Sequence, residues 1–417
     1  MKVLITTLGR SHFIQLSSAL IRSGVDAYLF QGWIVRNATG SKMVRLAMKI
    51  VGRGESFIYG MTKRITPELK GRNIGDFWAE FIQTVLTLIF GRLKNRNAWN
   101  FGVKVGFWLH GRKMAKMLKS HQYQIAHIKS GLGRGGAIRA ARECGVKVVV
   151  DHGAGAPHFI LDTVEKRPWG SWSYWYAVQQ DCDEADLLIV NSDWIKETFL
   201  MYGYPAEKIR VVYMGLDTWF NGLKKWDECL DGVGKSADKP LRIVFSGPFA
   251  PHKGNHDFLE AIEKLIDAGM CLEVDVLGAV DVHEEDRRKH ARVIAKIKFH
   301  GHLAQDKMCV VMKKAHIYLF PSLSEGCAKS AFEAMSMGLC VVASKQSGVP
   351  IRDGIDGHII SIHDSDSIVK KIEWLVEQPA KIAETGRAAT EALKKYTWEV
   401  YAENVKKVYA ELCPQMI

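Results

Sequence analysis

Short runs of apolar, mostly β-branched residues punctuate this chain, with stretches of helical spacing between them. In the first half the runs are KVLITTL, VDAYLF, QIAHIK, VKVVVDH, LLIVNS and IRVVYM. The polar segment NGLKKWDECLDGVGKSADKP (221–240) interrupts the series, which restarts with LRIVFSG and continues through LEVDVLG, IKFHG, IYLFPS, LCVVAS and GHIIS. Continuous apolar strands separated by helices predict parallel sheets covered on both faces. Met twice, the pattern predicts an α/β chain of two doubly wound, Rossmann-like domains over residues 1–220 and 221–395. The tail YTWEVYAENVKKVYAELC reads as a helix, so residues 396–417 are expected to cross back toward the first domain. A length of 417 residues also exceeds one ordinary core. Ligands of open parallel sheets bind outside the carboxyl ends of the strands, which puts the expected site in the cleft between the domains.

Composition adds a compartment and a partner. Hydrophobic residues are 47% and charged residues 24%, the balance of a soluble globular protein. The longest apolar stretch, FIQTVLTLIF (81–90), is too short to span a bilayer and is expected in a core or interface. The start, MKVLITTLGRSH, turns polar too early for a signal peptide and reads as a buried strand. The 8 cysteines are scattered without C-x-x-C, which fits a reducing, cytoplasmic setting with neither zinc nor disulfide framework. Charge is uneven. Residues 1–120 hold 20 Lys/Arg against 5 Asp/Glu, while the whole chain carries +12. In KMVRLAMKIVGR (42–53) and FGRLKNRNAWNFGVKVGFWLHGRKMAKMLK (90–119) the basic residues interleave with large apolar ones. That pattern suits a surface lying on anionic lipid, at the inner face of a membrane; a solvated basic helix face is the alternative. No nucleic-acid-binding module is recognisable.

Two glycine-rich or acidic motifs invite misreading. SGLGRGG (130–136) matches G-x-G-x-x-G through Gly131, Gly133 and Gly136, with Asp151 ending the next apolar run. A nicotinamide site, and with it an NAD-dependent oxidoreductase, requires that motif to open the first β-α-β unit of its domain. KVLITTL and VDAYLF precede it, which argues against that assignment. DCD (181–183) has the form of a metal-binding D-x-D but sits in an acidic helix end before a strand. The histidines show no metal-ligand spacing on a helix, and Ser192 and Ser322 lack the G-x-S-x-G elbow of a hydrolase. The aromatic run RPWGSWSYWYAVQQ (167–180) suits either a sugar- or lipid-stacking surface or a core.

The segment FPSLSEGCAKSAFEAMSMGLCVVAS (320–344) is richer in chemistry. A strand ends at Phe320, a turn follows, and a helix begins near Cys327 or Ala328 with small residues around its N-terminus. Free backbone N–H groups and the positive dipole end make such a terminus an anion site. Glu333 lies eight residues, about two helical turns, beyond Glu325 and suits a ribose diol. Upstream, VFSGPFAPHKGNHDFLEAI (244–262) is a second strand, turn and helix, where Lys253 can neutralise phosphate as a point charge.

Together these pieces resemble the retaining, family 4-type glycosyltransferases of the GT-B fold (glycosyl transferases group 1). The resemblance rests on E-x7-E (Glu325 to Glu333), the Lys253-Gly254 pair, ADLLIVNSDWIKETF ahead of KIRVVYMGLD, IKFHGHL, and YTW at the last helix. It implies that Glu333 binds the ribose of a nucleoside-diphosphate sugar. Glu325 with the backbone at Gly326, Cys327 and Ala328 would face the donor sugar, and the amides near Lys329 and Ser330 its phosphates. Lys253 would stabilise the leaving diphosphate, and the turn at His302 and Leu303 would meet the base. Gly9 and Gly247 would bring backbone close to the donor, and His152 would lie near the reacting sugar. Lys253, Glu325 and His152 are thus the expected catalytic residues, with no metal or other cofactor required. Arg10, Gly133 and Arg134 are expected on the acceptor side, for a glycan or lipid-linked acceptor of cell-surface polysaccharide or glycolipid synthesis. Two departures stand out. Gly247-Pro248 replaces the family's Gly-Arg, and GVPIRDGIDG (348–357) lacks the glutamate of its G-x-P-E-x-x stretch. A catalytically impaired nucleotide-sugar-binding protein is the alternative they raise.

Overall fold

The computed structural model describes residues 1–9, 11–34, 64, 66–216 and 230–416. Arg10, the stretch 42–53 and residues 217–229 lie outside the described residues. Two parallel sheets organise the rest. The first has strands β1 (Lys2–Thr6), β2 (Asp26–Gln31), β3 (Asn73–Gly75), β4 (Ile125–Lys129), β5 (Lys147–His152), β6 (Leu187–Val190) and β7 (Ile209–Val211), in the order β3-β2-β1-β4-β5-β6-β7. The second has β8 (Leu241–Ser246), β9 (Leu272–Leu277), β10 (Lys298–Gly301), β11 (Ile317–Phe320), β12 (Cys340–Ser344) and β13 (His358–Ile360), in the order β10-β9-β8-β11-β12-β13. Each predicted apolar run becomes a strand. The three-residue β3 had no run to announce it.

The strands are buried on both faces because helices cover them on both sides: Val148, Val149 and Val150 of β5 are all fully buried. The first sheet carries α1 (Phe13–Arg22), α2 (Phe77–Arg92), α3 (Arg96–Ser120), α4 (Ala137–Glu143), α5 (Tyr174–Glu184) and α6 (Asp193–Met201). The second carries α7 (Asn255–Asp267), α8 (Gln305–Lys314), α9 (Lys329–Ser336), α10 (Ser365–Glu377) and α11 (Ala380–Leu393). Two short helices, Glu284–Lys289 and Ala291–Ile294, lie between β9 and β10. In each sheet the first strand is flanked by the second and the fourth. The order of the elements reverses there, and β1/β4 and β8/β11 are the two switch-point crevices.

The last helix, α12 (Trp398–Leu412), leaves the second domain and packs on the first. Tyr401, Val405 and Tyr409 share a core with Val3, Phe13 and Leu16. Its anchor is polar. Tyr401 donates to the Asp151 carboxylate at 3.1 Å, and the Tyr409 hydroxyl meets His127 Nδ1 at 2.6 Å. Asp151 is fully buried, with His12 at 3.3 Å and His127 at 3.5 Å. Burial alone would raise its pKa, yet the contacts to His12 and His127 hold it well below the usual carboxylate range. The acid that follows the glycine motif is therefore a structural anchor for α12.

The helical hairpin α2/α3 is the exception to good burial. Within α2 only Ala79 and Glu80 are buried, so FIQTVLTLIF is half-exposed rather than part of a core. Trp78 is 67% and Leu93 69% exposed, and Phe101 and Trp108 also face outward. No described helix is long and apolar enough to cross a membrane.

Tyr401→Phe removes a hydrogen bond to a buried carboxylate and should lower stability by about 1.5–3 kcal/mol. Equilibrium urea unfolding followed by tryptophan fluorescence measures it; an unchanged midpoint would remove α12's anchor role.

Candidate active site

The turns after β8 and β11 lie side by side at the second switch point and are tied by backbone. Leu323 N donates to His252 O at 3.0 Å, and a β-carbon on Gly254 would fall 2.0 Å from the Pro321 carbonyl. Gly254 has φ +73°, the left-handed region that glycine adopts without strain, which is why K-G opens this helix. The arrangement presents Lys253 to Glu325. Their side chains form an ion pair and are only 14% and 18% exposed. Burial pushes the Lys253 ammonium down to about 8.

The turn after β11 is held from its other side as well. Glu325 N donates to Gln346 O at 2.8 Å and Ala328 N to Ser347 O at 3.0 Å. From there the chain enters α9, whose N-terminus at Ala328 has no side-chain cap. Ser330 Oγ lies 2.7 Å from the buried Tyr318 hydroxyl, and Glu333 is buried one turn further along. Burial pushes the Cys327 thiol far up, so it is no nucleophile. Gly247 follows β8 with its carbonyl against Gly278, where a β-carbon would meet it at 2.1 Å. His302 is exposed and Leu303 half-buried just beyond β10. His252 does not replace the cation absent at Pro248: burial, then the neighbouring Lys253, lowers its pKa, so it is neutral at pH 7.

The first domain closes on this loop. A β-carbon on Gly326 would lie 2.1 Å from the Gly153 carbonyl, and one on Gly348 would lie 2.9 Å from Ser192 Oγ. Lys345 also pairs with Glu197 at 2.8 Å across the cleft. His152, the residue before Gly153, is buried with both nitrogens occupied. Nε2 donates to Gly155 O at 3.0 Å, so Nδ1 accepts from Ser130 Oγ at 2.9 Å. Burial lowers its pKa and keeps it neutral. Beside this contact is a cavity of about 500 Å³, lined by Ser11, His12 and Gln15 from one domain and Cys327, Lys329 and Phe332 from the other. Gly9, with φ +83°, lies in the turn after β1 and lines a separate first-domain cavity.

Other expected residues are placed elsewhere. Arg134 binds Asp181 at 2.6 Å and Glu184 at 3.1 Å, and Gly133 N also donates to Asp181. The turn SGLGRGG is thereby fastened to α5, and DCD supplies its anchor: Asp181 is buried under Arg134, and Asp183 accepts from Tyr204. Burial raises Asp181 to about 6 despite the guanidinium beside it. The motif follows β4, not β1, and Asp151 is committed to α12, so position and partners both count against a dinucleotide site. Sequence spacing missed the Gly153–Gly326 contact and one side-chain group, His256, Asp286 and His290, whose ligand atoms lie within 4.8 Å of one another. Two of the three are buried, and His290 leans on Glu263 at 2.6 Å.

Comparison with known proteins follows the same division. The family profile described as Glycosyl transferases group 1 matches residues 240–378, and that described as Glycosyltransferase Family 4 matches residues 80–220. A D-inositol 3-phosphate glycosyltransferase of Corynebacterium jeikeium is 28% identical over 260 residues, 57% of this chain and 60% of that protein. The chain thus spans about three fifths of that curated relative's length. Among solved structures, the lipopolysaccharide outer core galactosyltransferase WaaB superposes with TM-score 0.63 at 15% identity, over 99% of this chain and 100% of that one. Anabaena HepE in complex with UDP and glucose does so with TM-score 0.59 at 14% identity, again over 99% and 100%.

Gly326→Ala places a methyl group on the Gly153 carbonyl and should wedge the domains apart while leaving both cores intact. Small-angle scattering should show a larger radius of gyration at an unchanged melting temperature. A profile identical to the parent's would show that the contact does not set domain closure.

Proposed function

The chain belongs to the glycosyl transferases of group 1 and has the two-domain GT-B fold, and from that premise we propose that it transfers a sugar from a nucleoside-diphosphate sugar to a hydroxyl of a glycan or lipid-linked acceptor, with retention of configuration. One observation carries the reading: Lys253, Glu325 and the uncapped N-terminus of α9 converge at the switch point of the second sheet. The diphosphate takes the place of the Glu325 carboxylate on Lys253 and lies on the amides near Lys329 and Ser330. Glu333 holds the ribose, the turn at His302 and Leu303 meets the base, and Gly247 lets backbone pass close. The released Glu325, with the backbone of Gly326, Cys327 and Ala328, faces the sugar.

As the glycosidic C–O bond breaks, negative charge grows on the diphosphate, and Lys253 with the helix dipole stabilises it. The acceptor hydroxyl enters from the same face and gives its proton to the departing phosphate oxygen, so retention follows without a strong base. His152 is neutral with both nitrogens occupied, which makes it a wall and a positioning group beside the sugar. Gly9 brings first-domain backbone toward the donor. The exposed Trp78, Leu93, Phe101 and Trp108, interleaved with the basic residues of α2 and α3, supply a face for anionic lipid at the cytoplasmic side of a membrane. The likeness to a lipopolysaccharide galactosyltransferase supports an acceptor of surface-glycan or glycolipid synthesis.

Pro248 and the neutral His252 favour a second reading, a chain that binds nucleotide sugars without turning them over. Calorimetric binding of a donor with no hydrolysis or transfer would select it.

Lys253→Ala should slow donor turnover, read as release of nucleoside diphosphate, by about 10²–10³-fold. Glu333→Ala should weaken donor binding. Full turnover in both variants would refute the assignment of this site. Burial holds the Lys253 pKa at about 8. Affinity for UDP, tried first because HepE binds it, should be level between about pH 7 and 8, above the phosphate's own titration, and fall about tenfold per pH unit above that, as one linked proton requires. Lys253→Ala should abolish that slope; a slope that persists assigns the proton elsewhere.

A further inference from the structure

The first sheet has a switch-point crevice of its own, between the carboxyl ends of β1 and β4. A cavity of about 360 Å³ opens there, bounded by Leu8 and Gly9 after β1 and by Lys129 and Leu132 at the end of β4. The hairpin α2/α3 forms its outer wall. Trp99 and Phe107 of α3 meet Tyr174 edge-on, with ring centroids 6.0 and 6.5 Å apart, and Glu80, Gln83, Thr84 and Thr87 of α2 supply polar atoms, the Glu80 carboxylate being paired with Arg64. Lys129 is mostly buried, and its ammonium makes no hydrogen bond or ion pair with any described residue. The nearest acids are committed. Glu80 is gripped by both guanidinium nitrogens of Arg64, and Asp151 by His12, His127 and Tyr401. Burial lowers the Lys129 pKa against the pull of Asp151 and Glu80, so the protein's own acids do not fully offset the burial of this amine.

We propose that this cavity binds the anionic group, phosphate or carboxylate, of the hydroxyl-bearing acceptor, with Lys129 as its counter-ion and the Trp99–Phe107–Tyr174 wall against the acceptor's apolar face. The inference rests on the transferase reading and adds the acceptor's charge class and the residue that selects it. The cavity is lined by Gly9, which the proposed function places near the donor, so an anion held on Lys129 would sit beside that first-domain turn. It also touches α2 and α3, the helices that carry the exposed aromatic face. A soluble sugar phosphate and an anionic lipid headgroup could both supply this chemistry.

The test compares the full-length protein with Lys129→Gln and Lys129→Met. Calorimetry with glycerol 1-phosphate and neutral glycerol, and flotation with phosphatidylglycerol or phosphatidylcholine vesicles, read the anion. The parent should prefer at least one anionic probe over its neutral partner by tenfold or more, and both variants should lose that preference while UDP affinity is unchanged. Preference in the soluble arm alone identifies a free phosphorylated acceptor; preference in the vesicle arm alone identifies a lipid headgroup. No preference in either arm, or one retained by both variants, overturns the proposal. Loss of UDP binding by the parent would count against the donor site instead. Stability gives a second readout. An amine held for a ligand is a burden on the empty fold, so Lys129→Met should raise the melting temperature; a marked fall would show that the amine is satisfied within the protein and would overturn the proposal too.

Discussion

The close approach of Gly326 to the Gly153 carbonyl fixes how the two domains can meet. A β-carbon on Gly326 would strike the Gly153 carbonyl, so the turns after β5 and β11 abut directly. His152 and Lys253 fall on opposite sides of one cleft because of it. The hinge is built on the same principle. A β-carbon on Gly215 would strike Trp398 N at 2.5 Å, and Leu216 N donates to Tyr396 O at 2.9 Å. Linker and α12 thus run together, and the Asp151 cluster pins that helix to the first domain. Glycine at these contacts lets backbone approach backbone, with the Lys345–Glu197 pair beside them.

Within the cleft, Lys253 and Glu325 form an ion pair where the proposed function puts the diphosphate. Pairing two mostly buried charges roughly breaks even against their desolvation. Under the proposed function a ligand anion takes the carboxylate's place, and the displaced Glu325 then needs a new partner, which the sugar hydroxyls would supply. The absence of a second cation at Pro248 makes the α9 N-terminus the main partner of Lys253 in this scheme. The charge-stabilising apparatus is backbone and one lysine.

Much of this was legible in the sequence because parallel strands buried on both faces must be continuously apolar. Twelve of the strands announce themselves so; β3, only Asn73–Gly75, does not. The spacing from Glu325 to Glu333 and the Lys253-Gly254 pair were also readable, since turn and helix geometry fix them locally. Arg134 was not. Its partner Asp181 is 47 residues away, and only the tertiary fold turns a glycine-rich, apparently ligand-facing loop into a clamp on α5. FIQTVLTLIF, read as core or interface, lies half-exposed on the surface hairpin, packed against the next helix. The Gly153–Gly326 contact and the Lys129 cavity depend on which loops oppose each other, and neighbouring residues carry no sign of that.

Calorimetric titration of the intact chain with UDP-, GDP- and ADP-sugars, with NAD as the control, tests the central claim most directly. One nucleotide sugar should bind saturably at a single site and raise the melting temperature by mass action, and NAD should do neither. Binding of NAD with none of the sugar nucleotides would contradict the account.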